Sequence, residues 1–189
     1  IFMNIVIIGT GYVGLISGLC FCEFGFMVTC VDKNKNRLMN ISKGEMPIFE
    51  PGLEDLFNKH YNKTKRFKLS NDIKKVLPKA DVVFITVGTP TKRINDKADL
   101  TEVYNVAKEI SLNIKKYCLV VTKSTVPVGT SRKIKKIILK KKNKELFDVA
   151  SNPEFLREGS AINDFMRPDR VVIGVESKKS ENILKSLYR

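Results

Sequence analysis

At 189 residues the chain is long enough for one domain with a sizeable core, or for one domain and the start of another. Its apolar fraction of 43% fits a globular protein, and no apolar run approaches the ~20 residues that cross a bilayer. The formal charge of +14 comes mostly from lysines scattered among asparagines and isoleucines, with no interleaved aromatic rings for base stacking. That pattern argues against a nucleic-acid surface and for a solvated basic face whose field attracts anionic ligands.

The start, Ile1-Phe2-Met3-Asn4, lacks the basic segment of a secretory signal. Met3 is a candidate start, with Ile1 and Phe2 either an added remnant or an upstream extension. Residues 3–8 read as a first strand, and residues 9–14 as a turn. The helix that follows runs to about Phe24, with Val13, Ile16, Leu19, Cys20 and Phe24 on one face, and Gly25 stops it. Residues 27–31 form a second strand closed by Asp32, and residues 34–42 a helix that stops near Gly44. A loop with two prolines, Pro47 to Gly52, leads to a helix over 53–61. Residues 67–70 form a short strand, Asn71 opens a short helix, and 81–87 is a strand broken by Gly88-Thr89-Pro90-Thr91. A helix over 101–114, a strand over 118–122 and a helix over 130–141 with a basic last turn come next. Residues 147–151 are a further strand, 171–175 a last strand candidate, and another helix starts near Ser180.

Strands that alternate with helices predict parallel pairing through crossover connections. Gly9-Thr10-Gly11-Tyr12-Val13-Gly14 is a G-x-G-x-x-G directly after an apolar strand and at the opening of a helix. Alone the match is weak, and this context gives it meaning. Gly9 permits the tight turn, Gly11 lets a pyrophosphate approach the backbone, and Gly14 lets the helix pack close to the strand. The helix N-terminus adds free N–H groups and a positive dipole end. Asp32 ends the second strand near the ~20-residue spacing of the acid that binds the adenosine ribose hydroxyls. Its carboxylate would repel a 2′-phosphate, which favours NAD over NADP, although Lys33 and Arg37 weaken that preference slightly. The fold class is therefore α/β: a Rossmann-type, doubly wound, mainly parallel sheet with helices on both faces.

The four cysteines, Cys20, Cys22, Cys30 and Cys118, have no metal-binding spacing and read as buried thiols of a cytoplasmic chain. His60 is the sole histidine, which argues against a His-based metal site or triad.

Later stretches resemble one family. Lys123-Ser124-Thr125-Val126-Pro127-Val128-Gly129-Thr130 and Ser151-Asn152-Pro153-Glu154-Phe155-Leu156-Arg157-Glu158-Gly159 are similar to signatures of the UDP-glucose/GDP-mannose dehydrogenases. So are Phe49-Glu50-Pro51-Gly52-Leu53, Val87-Gly88-Thr89-Pro90-Thr91 and Pro168-Asp169-Arg170-Val171-Val172-Ile173-Gly174, all in the family's order. The resemblance implies oxidation of the C6 alcohol of UDP-glucose to a carboxylate with NAD, or a related reaction on GDP-mannose or UDP-N-acetylmannosamine. A catalytically inactive NAD-binding module is a further alternative. It places Tyr12, Val13, Asp32 and Arg37 at the adenosine and pyrophosphate side of NAD, and Thr89, Thr91, Ser124 and Thr125 toward the nicotinamide. Glu158 also touches the cofactor, and Glu154, Phe155, Leu156, Arg157 and Glu158 wall the UDP-glucose pocket. Glu154 is the acid/base candidate, and Thr125 holds a catalytic water. The residue types suit this chemistry, because a carboxylate near C6 can take the alcohol proton and a hydroxyl can orient water. Read from the residues alone, Thr130 or Ser131 is equally a helix cap, and Asn152-Pro153-Glu154 a turn into a helix.

The resemblance also implies a nucleophilic cysteine, a lysine and an asparagine beyond the matched region, and none of the four cysteines here has that context. The expectation is a NAD-binding domain over about 1–175 and the start of a helical connection over about 176–189. The sugar-nucleotide-binding C-terminal domain is absent from this sequence. On that reading the chain is a fragment, inactive alone, of an enzyme that the resemblance makes a homo-oligomer.

Overall fold

In a computed structural model the structure describes residues 3–91 and 98–188 of the chain. Ile1 and Phe2, read above as a remnant or extension, and Arg189 lie outside the described residues. Six parallel strands form one sheet: β1 (Asn4–Ile8), β2 (Met27–Val31), β3 (Phe67–Ser70), β4 (Val82–Ile85), β5 (Cys118–Thr122) and β6 (Phe147–Ser151). Their order is β3-β2-β1-β4-β5-β6, which reverses direction between β1 and β4. In doubly wound sheets that reversal opens a crevice at the carboxyl ends of the strands.

The central strands are apolar on both faces, as strands covered by helices on both sides must be. Ile5, Ile7, Val82, Phe84, Leu119 and Val121 point into one core, and Val6, Ile8, Val83, Ile85, Cys118 and Val120 into the other. On the first side lie α1 (Tyr12–Glu23), α3 (Leu53–Phe57), α7 (Ala161–Met166) and α8 (Lys178–Leu187), with Ile41 of α2 (Lys35–Ser42) joining them. The second side is covered by α5 (Thr101–Asn113) and α6 (Thr130–Leu139), with residues next to the short α4 (Ile73–Val76). Stacked rings of Phe21 and Phe84, with centroids 5.1 Å apart, lock α1 onto the sheet.

Several sequence expectations are corrected. Helix α1 is not one-faced: residues 14–22 are all buried, because the sheet lies under it and α3 and α7 lie over it. Val13 is only half-buried, at the N-terminal end of the helix. The helix expected over 53–61 continues past Phe57 as a wide π-helical stretch, Asn58–Lys63, which buries His60 against Glu23 with Nε2 to Oε2 at 2.7 Å. No strand forms over 171–175. That segment meets the sheet edge through a single antiparallel pair, in which Ser151 and Gly174 exchange both backbone hydrogen bonds at 2.9 and 2.8 Å. A Cβ at Gly174 would lie 2.3 Å from Ser151 Oγ, so a larger residue there would have to turn that hydroxyl aside. Neither Thr130 nor Ser131 caps α6. Gly129 is the cap residue, and the Thr130 hydroxyl donates back to Pro127 O at 2.7 Å. Helix α7 carries no signal that the sequence reading caught.

The turn between β1 and α1 rests on close packing. A Cβ on Gly14 would sit 2.0 Å from Gly9 O and 2.8 Å from Thr86 Oγ1. Backbone cannot yield that much room, so Gly14→Ala should lower unfolding free energy by at least ~1–3 kcal/mol, the usual cost of overpacking. Urea denaturation of the variant beside the parent chain measures it.

Candidate functional site

At the crevice, β1 ends in the glycine turn. Gly9 holds φ +112, and its N–H donates to Val31 O at 2.8 Å, so the turn is hung on β2. Thr86, at the end of β4, donates its hydroxyl to Ile8 O at 3.0 Å and lies 3.1 Å from Gly9 O, closing the turn from the other side. A Cβ built on Gly11 meets nothing within 4 Å. It would project into open space, and that space is what an incoming diphosphate needs.

Asp32 lies where the sequence places it, and its carboxylate turns toward the turn. Oδ2 accepts the Thr10 N–H at 2.9 Å and the Thr10 hydroxyl at 2.7 Å, and Oδ1 accepts the Asn34 N–H at 2.9 Å. Arg37 reaches the same Oδ2 at 3.4 Å. Burial works against the charge, but the hydrogen bonds from Thr10 and Asn34 and the Arg37 guanidinium together hold the carboxyl below its ordinary value. Oδ1, with one donor, keeps a lone-pair direction for a ribose hydroxyl, while Oδ2 is already taken by Thr10 and Arg37. Open backbone at Gly11, an uncapped helix start and an ionised acid fit a dinucleotide.

The nicotinamide-side candidates are only partly free. Thr89 Oγ1 donates to Thr125 O at 3.0 Å, which joins the loops after β4 and β5. Ser124 is buried, and its hydroxyl is spent on Val87 O at 2.7 Å, so it shapes the loop. Thr91 is exposed and forms an isolated bridge with Ala98.

Glu154, Phe155, Leu156 and Arg157 line a cleft of about 540 Å³ together with Lys123 and Tyr188. Glu154 Oε2 accepts the Leu156 N–H at 2.7 Å, so its carboxylate folds over its own turn. Arg157 is clamped bidentately by Asp164, at 3.1 and 2.7 Å. Glu158 does not line this cleft, and Thr125 lines a neighbouring cavity of about 500 Å³ that shares only Pro153 with it. The structure thus brings four of the five proposed wall residues together and keeps Thr125 apart from Glu154.

Tyr12 links the two halves. Its hydroxyl is buried without a partner among the described residues, and its pKa is raised to about 12 by burial and by the charges of Glu50, Glu158, Glu154 and Asp164. Tyr12 thus brings the start of α1 within electrostatic range of those carboxylates. All four thiols are buried, and burial pushes Cys20, Cys22 and Cys118 up to about 12 and Cys30 well above its usual value, so none is a ready thiolate nucleophile. The sequence reading missed Thr10, Thr86, Glu50 and Lys123. Thr10 carried a signal inside the glycine motif, and Glu50 and Lys123 stood inside family signatures without a role assigned to them, while Thr86 carried none.

A nucleotide-binding dehydrogenase domain is the class that this fold and crevice define. The family model described as "UDP-glucose/GDP-mannose dehydrogenase family, NAD binding domain" matches residues 3–189, and the chain belongs to that family as its NAD-binding domain. It is 47% identical to a UDP-glucose 6-dehydrogenase of Rhizobium meliloti over 189 residues, which cover 99% of this chain and 43% of that protein. Among solved structures it resembles a UDP-glucose dehydrogenase from Pyrobaculum islandicum, with TM-score 0.93 and 33% identity over 100% of this chain and 44% of that one. A GDP-mannose dehydrogenase from Pseudomonas aeruginosa matches at TM-score 0.93 and 38% identity, over 99% and 44%. The chain spans less than half the length of these relatives.

Two outcomes follow from the turn. Gly11→Ala should leave the unfolding midpoint unchanged but weaken NAD binding roughly tenfold or more, a change that costs about 1.4 kcal/mol and is readable by calorimetric titration. Because the folded Asp32 carboxyl lies below its unfolded value, its contribution to stability is present above about pH 4 and is lost as pH falls through the folded value. Asp32→Asn should lack that acid limb in a pH series of urea midpoints.

Proposed function

We propose that this domain serves an enzyme that oxidises the C6 alcohol of UDP-glucose to UDP-glucuronate with NAD. The observation that carries the reading is the open turn at Gly11 tied to Asp32, together with Glu154 in the cleft that Phe155, Leu156 and Arg157 line. The curated relatives at 42–47% identity that bear the name UDP-glucose 6-dehydrogenase support this substrate. The GDP-mannose dehydrogenase likeness at 38% identity keeps that sugar nucleotide as the second reading.

Bound NAD would accept the hydride, chemistry that belongs to the cofactor. Gly9, Gly11 and Gly14 shape the turn that receives its diphosphate, with Tyr12 and Val13 beside it. Asp32 takes the ribose hydroxyls, and Arg37 steadies the Asp32 carboxylate. Thr89, Thr91, Ser124 and Thr125 shape the nicotinamide side, with Glu158 beside the cofactor. Phe155, Leu156 and Arg157 wall the sugar nucleotide. Glu154 removes the C6 hydroxyl proton, directly or through a water that Thr125 orients once ligands close the distance between their cavities. The unit over about 1–175 is the cofactor domain, and 176–189 begins a helical connection. The enzyme is a cytoplasmic homo-oligomer, a reading that rests on the family and on four free, buried thiols.

The 189-residue chain should bind NAD yet form no UDP-glucuronate from UDP-glucose, since no thiol here is placed or ionised to capture an aldehyde. Product analysis checks this, and UDP-glucuronate from the purified chain would contradict it. In the enzyme carrying this domain, Glu154→Gln should cut NADH formation with UDP-glucose by about 10²–10⁴-fold, the usual worth of general acid–base catalysis. Higher turnover on GDP-mannose than on UDP-glucose would select the second reading.

A further inference from the structure

The loop over 152–160 carries Glu154 and Glu158 but has few backbone bonds of its own, such as Ser160 N to Arg157 O at 3.0 Å. A buried charged side chain from elsewhere in the fold grips it at each end.

At its start, Lys123 at the end of β5 is 3% exposed and donates Nζ to Asn152 Oδ1 at 3.1 Å and to Tyr188 Oη at 3.3 Å. Tyr188 donates its own hydroxyl to the same Asn152 oxygen at 2.5 Å, and Asn152 Nδ2 donates to Val172 O at 2.9 Å. The ammonium also lies 5.4 Å from the centre of the Phe165 ring and 5.8 Å from that of Tyr188. Its hydrogen-bond partners are all neutral. A buried ammonium held that way costs folding energy that a packed methionine would not.

At its end, Glu50 reaches in from the segment before α3. Its carboxylate is 6% exposed and accepts the Gly159 N–H at 2.8 Å and the Ile162 N–H at 3.4 Å. Those bonds fix Gly159 at φ +83 and anchor the start of α7, so the loop enters that helix in one geometry.

We infer that Lys123 and Glu50 are positioning residues of the sugar-nucleotide site, clamping the two ends of loop 152–160 so that Glu154 stays in the cleft. This rests on the reading of that loop as the sugar wall. The residues act through the loop, and neither is assigned contact with the reacting atoms.

The test compares the enzyme carrying this domain with its Glu50→Ala, Glu50→Gln and Lys123→Met variants, reading amide hydrogen exchange across 152–162, affinity for UDP-glucose and for NAD, and unfolding midpoint. Glu50→Ala should speed exchange at Gly159 and Ile162 roughly tenfold and weaken UDP-glucose by a similar factor, the scale of a lost charged hydrogen bond. Glu50→Gln, whose single amide oxygen can accept only one of the two N–H groups, should restore protection at Gly159 and part of the affinity while leaving Ile162 unprotected. Lys123→Met should hold or raise the unfolding midpoint while loosening residues 152–156 and weakening UDP-glucose, with NAD affinity unchanged in every variant.

A pH series adds a readout that simple packing would not move. The groups facing Lys123 are Glu154 from the loop, Cys20 from α1 and Tyr188 from α8, and burial lowers its pKa to about 8. UDP-glucose affinity should therefore fall above about pH 8 in the parent, and that limb should vanish in Lys123→Met. Parent-like exchange and affinity in both Glu50→Ala and Lys123→Met would overturn the clamp, as would parallel loss of NAD affinity and stability. If the parent binds no UDP-glucose while both variants loosen the loop, the clamp stands and the sugar-wall reading fails.

Discussion

The Asp32 carboxylate accepts both the N–H and the hydroxyl of Thr10, and so joins the end of β2 to the turn that opens α1. The rest of the crevice is built outward from that bond. It holds the turn in the shape that leaves Gly11 uncovered, and it keeps an anion beside the site of the adenosine ribose. It also orders a carboxylate that burial alone would push toward the neutral form. Because Gly9 N–H is tied to β2 and its carbonyl lies against Thr86 just after β4, the turn is braced from both neighbours of β1.

The sheet order and its alternating helices were legible because buried parallel strands read as short apolar runs and because glycine and proline punctuate them. The glycine motif and Asp32 were legible for a sharper reason, since close approach and φ > 0 restrict residue choice at fixed spacing. The misread segments share a different cause. Helix α1 looked one-sided, but tertiary packing by α3 and α7 buries its second face, which no 3.6-residue pattern records. Residues 171–175 have strand-like composition, yet one antiparallel pair at the sheet edge and the Asn152 amide hold them in place of a ladder.

The candidate site divides the same way. Residues that belong to a local motif were placed before any coordinates. Those that act across the chain were not: Glu50 meets Gly159 over 109 residues of sequence, and Lys123 meets Tyr188 over 65. Both stand inside family signatures, but lysine and glutamate are common surface residues, and only the fold shows that these two went inside and what they grip. The family signatures carried Glu154, Thr125 and Glu158 into the list, and the structure then separated Thr125 into a cavity of its own.

The central claim is that a dinucleotide rests on the β1–α1 turn with its ribose at Asp32. Titrating the isotope-labelled chain with NAD and with NADP while following its backbone amide resonances tests this most directly. The account predicts that NAD shifts the amides of residues 9–14 and 32–34 before any others, and that NADP does so far more weakly. Shifts confined elsewhere, or equal responses to the two dinucleotides, would contradict it.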